Sequence, residues 1–228
     1  MNSIPQFEKT YVVDVYNTHT ERFDSSRYMR WSYVEEFINS LPNSSILEIG
    51  CGNGKNMFNR TSIDSHPLSY QLRDTYRERK SFPVHLWTGC DASEKLVKLC
   101  TEKNLVVVET DMCNLPFDDG EFDAILCIAV FHHLSTVERR ENALREIARI
   151  LRPNGTILIS VLSEKFKMKP NDTVFSNTTR DVSFMFEKMT RYYHLFTREE
   201  FEGLCAPYFK IKNTHEERDN YYFVLEKV

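Results

Sequence analysis

Glycine is scarce in this chain, with 7 among 228 residues, and three of them fall at Gly50, Gly52 and Gly54. So uneven a distribution marks one stretch where the backbone needs what only glycine supplies. Long hydrophobic runs are missing as well: no uninterrupted apolar stretch approaches the ~18–20 residues of a membrane span. The first residues, Met1 to Lys9, lack the basic and then apolar order of a secretory signal. The 6 cysteines include no C-x-x-C pair and no ligand-like partnering with histidine, so no structural metal is expected. Cys51, Cys90 and Cys127 fall in or beside predicted core strands, where a reduced thiol behaves as a small hydrophobe. That usage fits a reducing compartment, the cytoplasm or nucleus. Excess positive charge is absent too: net charge is −4 with a pI near 6.0. This argues against a generic free-standing nucleic-acid binder, which needs cations for phosphate contacts. Two local basic clusters, Arg73–Lys80 and Lys165–Lys169, read either as binding patches or as solvated faces.

What remains is a chain that is 41% hydrophobic and 27% charged, long enough for a single domain with a proper core over residues 1–228. A short helix is expected at about 11–19. Trp31, Val34, Phe37, Ile38 and Leu41 follow helical spacing until Pro42-Asn43 breaks it. Strands are expected at Ser45–Ile49, up to Asp91, at Leu105–Thr110, at Phe122–Ile128 and at Thr156–Val161. Helices alternate with them: one capped by Ser93 over Glu94–Lys103, and one from about Val137 to Leu151. Pro153-Asn154-Gly155 reads as a turn, Arg198–Cys205 as a helix, and Tyr208–Lys212 with Tyr221–Glu226 as a closing pair of strands. The alternation predicts an α/β doubly wound sheet, mostly parallel with an antiparallel C-terminal strand. About 56–84 and 163–190 fit no compact element and read as an insertion and a substrate-side excursion.

Ligands on such sheets lie beyond the carboxyl ends of the strands. There the first strand runs through Glu48 into Gly50-Cys51-Gly52-Asn53-Gly54-Lys55. The spacing G-x-G-x-G lets a ligand approach the main chain, and it departs from the G-x-G-x-x-G that serves a pyrophosphate. An ordinary tight turn would also satisfy it. Asp91, ending the second strand with Ala92 after it, can accept both hydroxyls of a ribose. Asp111, after the third strand, can receive an adenine amino group while Met112 packs on the ring; either aspartate could instead cap the next helix. Asp123 reads equally as structural or functional. The fourth strand ends in Cys127-Ile128-Ala129-Val130-Phe131-His132-His133, whose paired histidines suit substrate contacts, or tying down the loop.

Ile46–Lys55, Gly89–Ser93, Leu115–Asp123, Ile128–Thr136 and Arg149–Gly155 resemble the core of class I S-adenosylmethionine (SAM) methyltransferases, a Rossmann-like fold. Narrower blocks at Tyr11–Tyr16, Phe23–Trp31, Arg191–Phe196 and Glu217–Tyr222 resemble the eukaryotic wobble-uridine tRNA carboxymethyluridine methyltransferases, including the methyltransferase domain of the AlkB-type tRNA fusion enzyme. The resemblance implies SAM as cofactor, held by Glu48, Gly50, Cys51, Gly52, Gly54, Asp91, Ala92, Asp111, Met112, Cys127 and Ala129. It also implies methyl esterification of 5-carboxymethyluridine in tRNA. A carboxylate with a pKa near ~4 is already ionised at neutral pH, so no general base is required. Arg27, His132, Arg191 and Arg218 are the candidates for aiming it, with Tyr16 and Trp31 lining the donor pocket. The family further implies a small zinc-binding activator subunit that adds a strand at an edge formed by Leu105–Thr110. Asn154 stands where these enzymes usually carry glycine, a tolerable exchange in a turn. A small-molecule methyltransferase, or a methyltransferase fold that binds without catalysing, would share the core motifs.

Overall fold

The computed structural model describes residues 4–58, 83–168, 172–174 and 180–228. Most of the insertion expected at 56–84, with the Arg73–Lys80 cluster, lies outside the described residues, as do 169–171 and 175–179.

Seven strands form the main sheet: β1 (Ser45–Ile49), β2 (Leu86–Asp91), β3 (Val107–Glu109), β4 (Phe122–Ile128), β5 (Leu151–Leu162), β9 (Phe209–Glu217) and β10 (Asn220–Lys227). Their order is β3-β2-β1-β4-β5-β10-β9, with β10 running antiparallel to both of its neighbours. Central strands buried on both faces are apolar without alternation. Ile46 to Ile49 are all buried, and successive residues face opposite layers. Leu47, Ile49, Ile125, Cys127, Ile157 and Ile159 pack in one layer. In that layer they meet Leu144 and Ile147 of helix α6 (Val137–Ile150) and Phe201 of α7 (Arg198–Cys205). Ile46, Ala124, Leu126 and Leu158 face the other layer, against Val34, Phe37 and Ile38 of α4 (Ser32–Ser40). Side-chain caps start the helices: Ser93 opens α5 (Glu94–Glu102), Thr136 opens α6 and Thr197 opens α7, each accepting a backbone N–H three residues on.

Several expectations need correcting. The helix expected at about 11–19 begins earlier, as α1 (Gln6–Glu8), a π-helical turn (Lys9–Val13) and α2 (Asp14–Thr18), and a further helix α3 (Thr20–Ser26) follows it. The strand expected at Thr156–Val161 starts at Leu151, directly after α6. Phe122 pairs with Leu151 and Ala124 with Thr156, so Arg152–Gly155 bulge out as the expected turn, Asn154 in left-handed backbone (φ 61°). The excursion at 163–190 is not wholly irregular. It supplies most of a three-stranded antiparallel sheet of β6 (Thr173–Val174), β7 (Asp181–Phe186) and β8 (Met189–His194), the last running beyond it. The third strand is shorter than expected, and it forms the parallel edge of the main sheet.

Candidate active site

A cavity of about 290 Å³ opens beyond the carboxyl ends of β1, β2 and β4, roofed by the N-terminal helices. The glycine loop forms its floor. Gly50 has φ 65°, and a Cβ there would stand 2.3 Å from Val130 Cγ2, so neither the backbone nor the space admits another residue. Asp91 fastens the loop: its Oδ2 accepts the Gly52 N–H at 2.9 Å and its Oδ1 the Ser93 N–H at 2.9 Å. Burial pushes this carboxyl above its usual range, while the bonds from Ser93, Gly52 and Ala92 pull it back. Ala129 reaches the cavity in left-handed backbone (φ 58°), its N–H donating to Ser160 Oγ. A strained alanine is tolerated where the surroundings fix it, here at the end of β4.

At one end of the cavity Asp111 is not free. Arg139 donates to both of its oxygens, at 2.6 and 2.9 Å, and the Cys113 N–H adds a third bond. The same guanidinium reaches back to Glu8 at 2.7 Å, and Glu8 also accepts the Ser135 N–H and hydroxyl. Glu8, Arg139 and Asp111 thus form a buried acid–base–acid chain tying α1 to the cavity wall after β3. The π turn after Glu8 lets that residue face Arg139 while Val12, Val13 and Tyr16 face the cavity.

On β1, just before the loop, Glu48 is buried and pushed up to about 7 by burial, partly offset by the Asn56 amide, which donates to Oε1 at 2.6 Å. Glu48 Oε2 and Asn56 Oδ1 are buried acceptors without a hydrogen-bond partner. Two orphaned acceptors at one spot suit an ammonium group. Lys55 lies over the Trp31 ring, Nζ 5.0 Å from its centroid.

The opposite wall is built for an anion. Arg191, on β8, is 8% exposed, and its Nε and Nη1 are buried without hydrogen-bond partners. Three rings surround it, Tyr16, Phe186 and Tyr193, at 4.7–5.1 Å. Burial works against its charge, and the neighbouring Tyr16 and Tyr193 oxygens more than offset that. The two histidines beside it are neutral. His133 donates from Nδ1 to the Tyr192 carbonyl at 2.8 Å and accepts the Tyr16 hydroxyl on Nε2 at 3.0 Å. Burial and the Arg191 charge hold it down to about 3. His132 accepts the Leu162 N–H on Nδ1 at 3.1 Å, so its remaining proton sits on Nε2. Burial, then His133 and Arg191, keep it well below the ordinary histidine range. Both histidines therefore tie loop to sheet, and both also line the cavity.

The cavity brings together Glu48, Gly50, Cys51, Gly52, Asp91, Ala92, Asp111, Met112 and Ala129 from the cofactor candidates, and Arg27, His132 and Arg191 from the acceptor candidates. Tyr16 and Trp31 line it as well. Three candidates do not line it. A Cβ on Gly54 would meet Leu105 at 2.2 Å, so that glycine serves packing against the chain before β3. Cys127 points into the α6-side core, fully buried. Arg218 sits exposed in the β9–β10 turn beside Glu217. Asp123 is structural: it accepts the Ser45 N–H and hydroxyl and pairs with Arg152. Sequence reasoning passed over Glu8, Lys55, Asn56, Arg139 and Tyr193. Only Lys55 and Asn56, next to the glycine loop, carried a positional signal. Among the described residues no helix is long and apolar enough to cross a membrane.

Comparison with known proteins gives three kinds of match. A family model described as a methyltransferase domain matches residues 75–159. A tRNA (carboxymethyluridine(34)-5-O)-methyltransferase of Arabidopsis thaliana is 32% identical over 231 residues, spanning 100% of this chain, which covers 46% of that protein. This chain therefore spans less than half the length of that relative. Among solved structures, a Burkholderia thailandensis 1,6-didemethyltoxoflavin-N1-methyltransferase holding S-adenosylhomocysteine superposes with a TM-score of 0.65 at 15% identity, covering 100% of this chain and 92% of that one. A Haloferax volcanii methyltransferase in complex with the Trm112 methyltransferase activator gives 0.63 at 14% identity, covering 94% and 95%. At these identities the two structures speak for the fold alone.

Proposed function

We propose that this chain, which resembles the class I SAM-dependent methyltransferases of the wobble-uridine tRNA type, methyl-esterifies 5-carboxymethyluridine at the wobble position of tRNA, giving the methoxycarbonylmethyl form. The observation that carries the proposal is Arg191: a buried cation with two unpartnered donors, facing the cavity and without a carboxylate partner among the described residues. A planar guanidinium in that state matches an acceptor carboxylate.

The residues present fit SAM. Asp91 accepts ribose hydroxyls; Asp111, held in place by Arg139, and Met112 take the adenine. Glu48 Oε2 and Asn56 Oδ1 receive the ammonium of the methionine end, and Lys55 or Arg27 its carboxylate. When bound, SAM would supply an activated sulfonium methyl: the O–CH3 bond to the acceptor carboxylate would form as the methyl–sulfur bond breaks and S-adenosylhomocysteine leaves, with no proton moved. The chain's task is then aim and proximity. Arg191 holds the acceptor carboxylate, and His132 offers Nε2–H as a neutral donor that leaves the nucleophile its charge. Tyr16, Tyr193 and Phe186 hold the Arg191 guanidinium in place.

A second part of the proposal concerns a partner. β3 is an edge strand; Val106 just before it is 67% exposed, and Leu86 and Val84, at and before the start of the neighbouring β2, are 76% and 56% exposed. Such an edge invites an added strand, and we assign it to a small zinc-binding activator subunit. The experiment is transfer of labelled methyl from SAM to tRNA carrying carboxymethyluridine, with and without the co-expressed activator. Ester formation that Arg191→Ala reduces at least tenfold, with SAM affinity within twofold of wild type, supports the proposal. Absence of ester in both preparations, with SAM still bound, refutes it.

A further inference from the structure

Tyr28 and Met29 are adjacent in sequence and 64% and 65% exposed, and Phe58 is 46% exposed. They share one corner of the molecule. Arg27 and Trp31, which bracket Tyr28 and Met29, line the cavity, so the loop between them is its rim. Arg30 pins that loop to the chain leaving the glycine loop, donating to the Asn56 carbonyl at 2.8 Å and to the Phe58 carbonyl. An apolar and aromatic patch is thereby held at the cavity mouth. Inside the mouth stand Arg27, Lys55 and Arg191, for which no carboxylate lies within 4.0 Å among the described residues. The acceptor and the cofactor each bring one carboxylate, which leaves a cation for a further anion. Flat apolar side chains beside uncompensated cations suit single-stranded nucleic acid, whose bases stack and whose phosphates seek positive charge. A protein or lipid partner would not require the cations.

We propose that the rim formed by Tyr28, Met29 and Phe58 is a stacking platform for the base next to the methylated nucleotide, with Arg27 or Lys55 taking the intervening phosphate. The inference rests on the tRNA reading above and adds how the neighbouring bases are held. A nucleotide that turns into the cavity leaves its neighbour unstacked, and the rim offers that neighbour a replacement surface.

The test is fluorescence anisotropy of a labelled anticodon stem-loop carrying carboxymethyluridine, titrated with the full chain. Tyr28→Ala/Met29→Ala should weaken binding roughly tenfold, the loss of about one stacked base, while Tyr28→Phe, which keeps the ring, stays within twofold of wild type. SAM affinity of all three proteins should agree within twofold. If wild type binds the stem-loop and the double variant binds it equally well, the platform is wrong and the substrate reading stands. If wild type binds no stem-loop while it binds SAM, the substrate reading fails and takes the platform with it. Loss of activator binding with stem-loop affinity unchanged would assign the patch to a protein partner and overturn the inference.

Discussion

Arg139→Ala is the most informative single change, because one guanidinium is the cation paired with two buried carboxylates among the described residues. The side chains of Arg139, Glu8 and Asp111 are 12%, 5% and 11% exposed, too little for water to take over when the cation is removed. Removing one partner of a buried ion pair costs about 3–5 kcal/mol, mostly because the other charge is stranded. At about 2–4 °C per kcal/mol for a chain of this size, the melting temperature should fall on the order of 10 °C. SAM affinity should fall as well, since Asp111 loses the fork that orients it. Differential scanning fluorimetry and calorimetric titration with SAM measure the two effects. A double-mutant cycle with Glu8→Gln separates stranding from general damage: the two changes should be less than additive. A drop under about 2 °C, or strict additivity, would refute the claim that this chain of three residues joins α1 to the site.

Asp91→Ala should abolish measurable SAM binding, since bonds to a charged group are worth roughly 1.5–3 kcal/mol each; an unchanged dissociation constant would show that Asp91 only fastens the glycine loop. Glu48 gives a pH signature. Its folded pKa of about 7 lies above an ordinary 4.5, so its carboxyl favours the folded state at low pH. That stability is lost as pH rises from about 4.5 to about 7, to the extent of about 3 kcal/mol. Urea titrations at pH 5 and pH 8 should show a smaller difference for Glu48→Gln than for wild type, and an equal difference would disprove the assignment. Val107→Glu should weaken a one-to-one complex with the activator in gel filtration; a complex that survives would place the partner elsewhere.

The central strands were legible because their apolar runs carry the signature of two covered faces, as at Ile46–Ile49. Asp91 was legible because a strand end followed by a Ser93 cap fixes its position. The β7–β8 hairpin was harder to see, whereas β9 and β10 were read as a closing pair with β9 ending short of its turn. Phe186 pairs with Met189 across a turn with Glu187 in left-handed backbone, and Glu217 pairs with Asn220 across Arg218 and Asp219, both left-handed. None of these turns offers glycine, the usual signal. The sheet of β6, β7 and β8 was therefore hidden, and with it the reason Arg191 faces the cavity. Glu8 and Arg139 stand 131 positions apart, and nothing local in either segment announces their pairing. Arg218 came from the resembled Glu217–Tyr222 block alone, and the structure puts it exposed in the β9–β10 turn, outside the cavity lining.

The placement of β10 has a consequence for how the chain acquires its shape. β10 follows β9 in sequence but lies between β5 and β9 in space. β9 consequently has no position in the sheet until β10 has paired with β5. Until then β5, with Ile157, Ile159 and Val161 along it, presents an unpaired apolar edge. Seven register pairs between β5 and β10 close it in one late, long-range step. Non-local pairing of this kind is slow to form, so the half-assembled sheet is the species most exposed to aggregation as the chain folds.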